Sequence, residues 1–356
     1  MTHQPLKKKI GQLFIIGFEG TALSKNNPVI ADIVERNLGG VILFDRLLAK
    51  KRNTNNIISP GQVADLTSRL QELAGGNLLI AVDQEGGRVA RLNEQHGFTT
   101  IPDAATLGRR GDPEQTGHYG EQVAEILHSV GINFNLAPIV DLDVFPENPI
   151  IGAYGRSFSN NPDAVFKHTV KWLDAHRKKG VLSCLKHFPG HGSSINDSHL
   201  GFVDISSTWN EVELQPYKDL LARGYKEAIM AGHLYNSRFD KSYPATLSHT
   251  TLDGILRKRL GHNGVIISDD MQMRAITDRY GLAESCCRAI SAGVDLLIIG
   301  NNLSYEPEIM KETLDTILKA VDEGQLTQRR IEEAWSRVQQ LKKLLKGTFK
   351  KRNIHE

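Results

Sequence analysis

The chain has 356 residues, 43 Lys and Arg against 41 Asp and Glu, and a formal net charge of +2. That length permits one large domain or two ordinary ones with a sizeable core, and the balanced charge excludes a global pull towards nucleic acid or an anionic membrane. Three cysteines make no disulfide framework, no stretch approaches a membrane span, and residues 1–9 lack an apolar segment with a cleavage site, which together predict a cytoplasmic protein.

Apolar runs recur along the chain at 13–18, 40–44, 78–83, 132–141, 181–187, 228–233, 265–269 and 294–300. Helical patterns separate most of them, at 28–37, 60–73, 113–130, 162–179, 210–224, 252–260 and 273–292. Alternating strands and helices imply right-handed crossovers and a parallel sheet. Strands that are apolar along their whole length belong to a sheet covered on both faces. Eight such units predict an α/β protein with a (β/α)8 TIM-type barrel. A doubly wound open sheet is the alternative, but no G-x-G-x-x-G follows the first strand.

Residues 306–323 and 327–345 read as two amphipathic helices, with Ile331, Trp335, Val338, Leu341 and Leu345 on one face of the second. The organisation predicted is a barrel over 1–303 with a C-terminal helical extension over 304–356, packed on it as part of the same domain. The basic run 342–352 is expected to be a solvated helix end.

Polar residues end most of the strands: Asp83, Asp141, Lys186, His187, His233 and Asp269. One alone would be read as a cap or turn residue. Six at strand ends predict a site at the carboxyl-terminal face of the barrel.

Three stretches carry the chemistry. After strand three comes Asp83-Gln84-Glu85-Gly86-Gly87-Arg88-Val89-Ala90-Arg91, in which carboxylates and arginine forks suit vicinal sugar hydroxyls. Asp83 and Arg91 equally suit an internal ion pair. Strand seven ends in Ser268-Asp269-Asp270-Met271. Adjacent carboxylates on extended chain point opposite ways, so one is expected at the barrel mouth and the other at the N-terminus of the next helix. The first can serve as nucleophile, general base or metal ligand.

The third stretch is Lys186-His187-Phe188-Pro189-Gly190-His191-Gly192-Ser193-Ser194-Ile195-Asn196-Asp197-Ser198-His199. Asp197 and His199 are two apart, so an extended segment puts them on one side, where a carboxylate can hold an imidazole as a general acid. A divalent metal held by His187, His191, His199, His233 and Asp269 to activate water is the rival reading, and a non-catalytic sugar-binding barrel is a third. The metal reading lacks an H-x-H at strand one and an H-E-x-x-H helix.

Lys186 to Gly192 followed by Asp197-Ser198-His199 resembles the signature of the β-N-acetylglucosaminidases of glycoside hydrolase family 3. The likeness extends through Asp83 to Val89, Ala137-Pro138-Ile139-Val140-Asp141, Gly155-Arg156-Ser157-Phe158, Pro244-Ala245-Thr246-Leu247-Ser248 and Ser268 to Met271. The resemblance implies a cofactor-free, metal-free retaining glycosidase with Asp269 as nucleophile and His199 with Asp197 as acid/base pair. It implies that Asp83, Arg91, Arg156, Lys186 and His187 bind the sugar. Departures lie at Ser193-Ser194 and in the Gly-Ala-Tyr-Gly segment before Arg156. The single-domain length resembles bacterial enzymes that remove N-acetylglucosamine from cell-wall muropeptides during recycling. The expected partner is therefore a carbohydrate, with neither nucleic acid nor membrane involved, and the expected form is a monomer. A phosphorylase acting on the same glycosides, or another family 3 β-glycosidase, is the alternative within this fold.

Overall fold

Eight parallel strands close into a barrel in the computed structural model, which describes residues 3–198 and 201–346. They are β1 (Phe14–Gly17), β2 (Gly40–Ile42), β3 (Leu79–Val82), β4 (Phe134–Asn135), β5 (Leu182–Phe188), β6 (Ala228–Ala231), β7 (Val265–Asp270) and β8 (Leu296–Ile299). Each pairs with the next in sequence, and β8 returns to β1 with Leu297 opposite Phe14. The TIM-type barrel expected from the apolar runs is the observed fold, and the open sheet is not.

The strand interiors are almost wholly buried, as they must be between a filled barrel and a ring of helices. Helix starts share one device. In the helices Pro28–Val34, Pro60–Leu73, Pro113–Ser129 and Pro162–Lys178, a proline opens the helix after Asn27, Ser59, Asp112 or Asn161. Each of those side chains accepts a hydrogen bond from a backbone N–H of the first turn that has no partner within the helix.

Four expectations shift. The run 132–141 gives only two residues of strand, because Pro138 has no N–H for the ladder; Ile139 makes a single bridge to Lys186. The helix expected at 252–260 is a π-helix, Thr250–Arg259. The helix expected at 273–292 breaks at Gly281 into Arg274–Thr277 and Leu282–Ala292. The basic C-terminal run is not wholly solvated: Lys342 is buried, and its Nζ donates to Gln12 Oε1 and to Asn77 O, both at 2.8 Å. Residues 347–352 of that run lie outside the described residues.

The two C-terminal helices, Ile309–Asp322 and Gln328–Lys346, lie against the barrel wall. Ile331, Val338, Leu341 and Leu345 are buried there, and Lys9 of the N-terminal helix His3–Gly11 sits 5.4 Å from the Trp335 ring centre. Among the described residues, no helix is long and apolar enough to cross a membrane.

Candidate active site

The strand ends β2, β3, β5, β7 and β8 and their loops surround a cavity of about 390 Å³. Asp83, Arg91, Arg156, Lys186, His187, Asp197 and Asp269 all line it. His199, the expected proton donor, lies outside the described residues.

One wall is an ion network. Lys186 Nζ lies 2.9 Å from Asp83 Oδ1 and 2.7 Å from Glu85 Oε1. Arg156 grips Glu85 with both arms, Nε to Oε2 and Nη2 to Oε1 at 2.9 Å each, and its Nη1 donates to the Ile150 carbonyl. Arg91 Nη2 reaches Asp83 Oδ2 at 3.4 Å. Burial would push these carboxyls up. Lys186 and Arg91 outweigh it at Asp83, and Arg156 and Lys186 do so at Glu85, so both stay below the ordinary carboxylate range. Burial likewise opposes charge on Lys186, and Asp83 and Glu85 hold it charged. The wall therefore presents three cations and two carboxylates, fixed before any ligand arrives.

Asp141 organises the turn that follows β5. Its Oδ2 lies 2.8 Å from His187 Nδ1, and its carboxylate also accepts the backbone N–H groups of His187 and His191. A carboxylate held below its ordinary range only accepts, so Nδ1 carries the ring hydrogen and Nε2 is the remaining polar atom. The Lys186–His187 and Phe188–Pro189 peptides are cis. Gly190 has φ 119°, and a Cβ there would meet the Glu213 side chain at 2.6 Å, so the turn requires glycine.

His191 is buried between two serines, with Nδ1 2.6 Å from Ser194 Oγ and Nε2 3.3 Å from Ser198 Oγ. Burial and the neighbouring His187 push its pKa down to about 4, which makes it a neutral brace of the loop leading to Asp197. Asn148 Nδ2 fastens the same turn through the carbonyls of His191 and Gly192.

Across the cavity, Asp269 Oδ1 accepts the backbone N–H of Asp270 at 2.8 Å. Asp270 does not cap the following helix as expected. Its Oδ1 accepts from Gly300 N at 2.9 Å and from Gln272 N at 3.1 Å, which ties β7 to the end of β8. Only glycine fits at 300, since a Cβ would stand 2.4 Å from Asp270 Oδ2. His233 supports this segment from below, its Nε2–H donating to the Asp270 carbonyl at 2.9 Å.

With this geometry in place, the comparisons with known proteins are specific. Residues 5–341 match the Glycosyl hydrolase family 3 N terminal domain. The chain belongs to glycosyl hydrolase family 3. It is 31% identical to Beta-hexosaminidase A of Pseudoalteromonas piscicida over 346 residues, covering 90% of this chain and 56% of that protein. It is 34% identical to a Beta-hexosaminidase of Neisseria meningitidis serogroup C over 290 residues, covering 79% of this chain and 76% of the relative. Among solved structures, the family 3 beta-N-acetylglucosaminidase of a Paenibacillus species superposes with a TM-score of 0.87 at 33% identity, over 99% of this chain and 64% of that one. The Beta-N-acetylhexosaminidase of Beutenbergia cavernae does so at 0.82 and 27%, over 95% and 98%. This family 3 chain thus spans little more than half the length of the Pseudoalteromonas relative.

Glu85 and Asp141 hold Lys186, Arg156 and His187 in place at the cavity, and the sequence reading assigns neither of them a role in sugar binding or catalysis. A signal for Glu85 was present: two residues beyond Asp83 on extended chain, it shares that side of the strand. Asp141 was visible as a strand end, but its partner His187 is 46 residues away. Among the described residues, no group of three or more His, Cys, Asp and Glu side chains is arranged to hold a metal ion.

Proposed function

We propose that this protein hydrolyses terminal β-linked N-acetylglucosamine with retention of configuration, and that muropeptides are its natural substrates. The observation that carries the reading is the convergence of Asp269, Asp197 and the Lys186–Asp83–Glu85–Arg156 network on one cavity. Family membership and the names of the relatives support the sugar; the geometry supports the chemistry.

In this reading Asp83, Lys186, Arg91, Arg156 and His187 take the hydroxyls of the terminal sugar. A fixed, buried ion network is preorganised for that task, since it needs no rearrangement when water leaves. Asp269 attacks the anomeric carbon and forms a glycosyl ester as the bond to the leaving oxygen breaks. His199, paired with Asp197, gives its proton to that oxygen. It then takes a proton from the water that attacks the anomeric carbon, breaking the ester and releasing Asp269. The reading also includes action as a monomer in the cytoplasm, in keeping with Cys184 and Cys286 buried as free thiols.

The test is incubation of the purified full chain with a chromogenic β-N-acetylglucosaminide and with a muropeptide, with and without phosphate. Free N-acetylglucosamine from both substrates, indifferent to phosphate, is expected. No release by folded protein would refute the glycosidase. Stimulation by phosphate with a sugar 1-phosphate as product would replace hydrolysis by phosphorolysis.

A further inference from the structure

At the opposite end of the barrel, one buried carboxylate faces three guanidinium groups. Asp295, immediately before β8, is fully buried. Its Oδ1 takes Arg330 Nη2 at 2.8 Å and Arg337 Nη1 at 3.1 Å, and its Oδ2 takes Arg257 Nη2 and the Ile266 N–H. Two of these arginines have further structural duties. Arg257 donates to the carbonyls of His262 and Gly264, and Arg330 to those of Ile290 and Val294. Arg337, about a quarter exposed, makes no further hydrogen bond or ion pair to the described residues.

These arginines line a cavity of about 470 Å³, together with Lys258, Arg329 and the His249 ring. The two carboxylates that line it are already paired: Asp253 with Lys258 at 2.6 Å, and Glu333 with Arg329 at 3.3 Å. Five cations (Arg257, Lys258, Arg329, Arg330, Arg337) against three anions (Asp253, Asp295, Glu333) leave a charge of +2 around one concavity. Like charges held this close are costly unless a counter-charge joins them. Burial lowers the affinity of Arg257 for its proton, and Arg337 and Arg330 lower it further.

We propose that this cavity binds a phosphate dianion, free or carried on a small metabolite. The residual charge matches that of a phosphate monoester, and planar guanidinium forks match its oxygens. The volume is that of a small-molecule site. The site lies on the amino-terminal face of the barrel, away from Asp269, so it acts on the protein by stabilising it and not by joining the reaction.

The experiment is thermal unfolding and calorimetric titration of the full chain with inorganic phosphate and, separately, a hexose 6-phosphate. Sodium chloride at equal ionic strength is the control for screening. A saturable rise in Tm with either ligand is expected, and the tighter of the two identifies the source. Arg337→Gln should weaken binding by about tenfold or more, and Lys258→Gln, a change at an exposed rim residue, should weaken it less. Both variants should keep wild-type glycosidase activity. Asp269→Asn should keep the phosphate response. A response equal to that of sodium chloride, or unchanged in Arg337→Gln, would overturn the proposal and leave a purely structural ion cluster. A response lost in Asp269→Asn would place phosphate in the catalytic cavity instead, which also overturns it.

Discussion

Glu85 and Arg156, 71 positions apart, form a two-armed pair at 2.9 Å on each arm, and the Glu85 oxygen that takes Arg156 Nη2 also takes Lys186. One carboxylate therefore anchors two buried cations on the cavity wall. Removing it leaves Arg156 without a paired carboxylate and Lys186 with Asp83 alone.

Glu85→Ala is expected to destabilise the protein by about 3–5 kcal/mol, because Arg156 would remain buried without its carboxylate and Lys186 would keep only one of its two. Urea unfolding measures this. Arg69→Ala, which breaks an exposed pair with Glu72, is the reference and should change stability by about 0.5 kcal/mol or less. Equal effects would mean that the wall is solvated and not preorganised.

The Asp141–His187 pair predicts a kinetic effect. Asp141→Asn keeps the shape but loses the charge that holds the His187 ring and the turn behind it. A fall in kcat/KM of about 10–100-fold on a β-N-acetylglucosaminide is expected. An unchanged kcat/KM would show that the orientation of His187 does not matter to the reaction.

Glu213 lies beneath the same turn, accepting from Gly192 N at 3.1 Å, and burial pushes its carboxyl up to about 7. In the unfolded chain it titrates near 4.3. Between those values the folded state holds the proton and the unfolded state does not, so this group's stabilisation is present below about pH 4 and is lost as pH rises to about 7. Glu213→Gln should therefore gain on the wild type as pH rises from 4 to 8, by on the order of 1–3 kcal/mol. A difference independent of pH would contradict the elevated carboxyl.

Much of this architecture can be read directly from the chain. The eight apolar runs are the eight strands, since a barrel strand buried on both faces has little choice of residue. The polar strand ends likewise pointed to the face that carries the cavity. What could not be read is how charges distribute among themselves across the fold. Lys186 and Asp83 are 103 positions apart, and nothing local says that Glu85 lies between Lys186 and Arg156. Asp270 was misjudged for the same reason: its partner is Gly300 on the neighbouring strand, and periodicity within one element carries no information about it. Pro138 and Gly281 are local breaks inside the runs 132–141 and 273–292 that apolar patterning alone bridges: β4 ends at Asn135, and the helix divides into Arg274–Thr277 and Leu282–Ala292.

The acid/base assignment predicts a dependence on the leaving group. His199→Ala should lose much more activity on a muropeptide than on an aryl glycoside, whose leaving group needs little protonation. Rates on both substrates measure the split. Equal losses would remove His199 from the proton-transfer step.

The central claim is that Asp269 forms a glycosyl ester. The most direct measurement is peptide mass mapping after incubation with a slow fluorinated N-acetylglucosaminide that lets the ester accumulate. The account predicts one added sugar on the peptide that contains Asp269, and none in Asp269→Ala. A label on another carboxylate, or full turnover by Asp269→Ala, would contradict it.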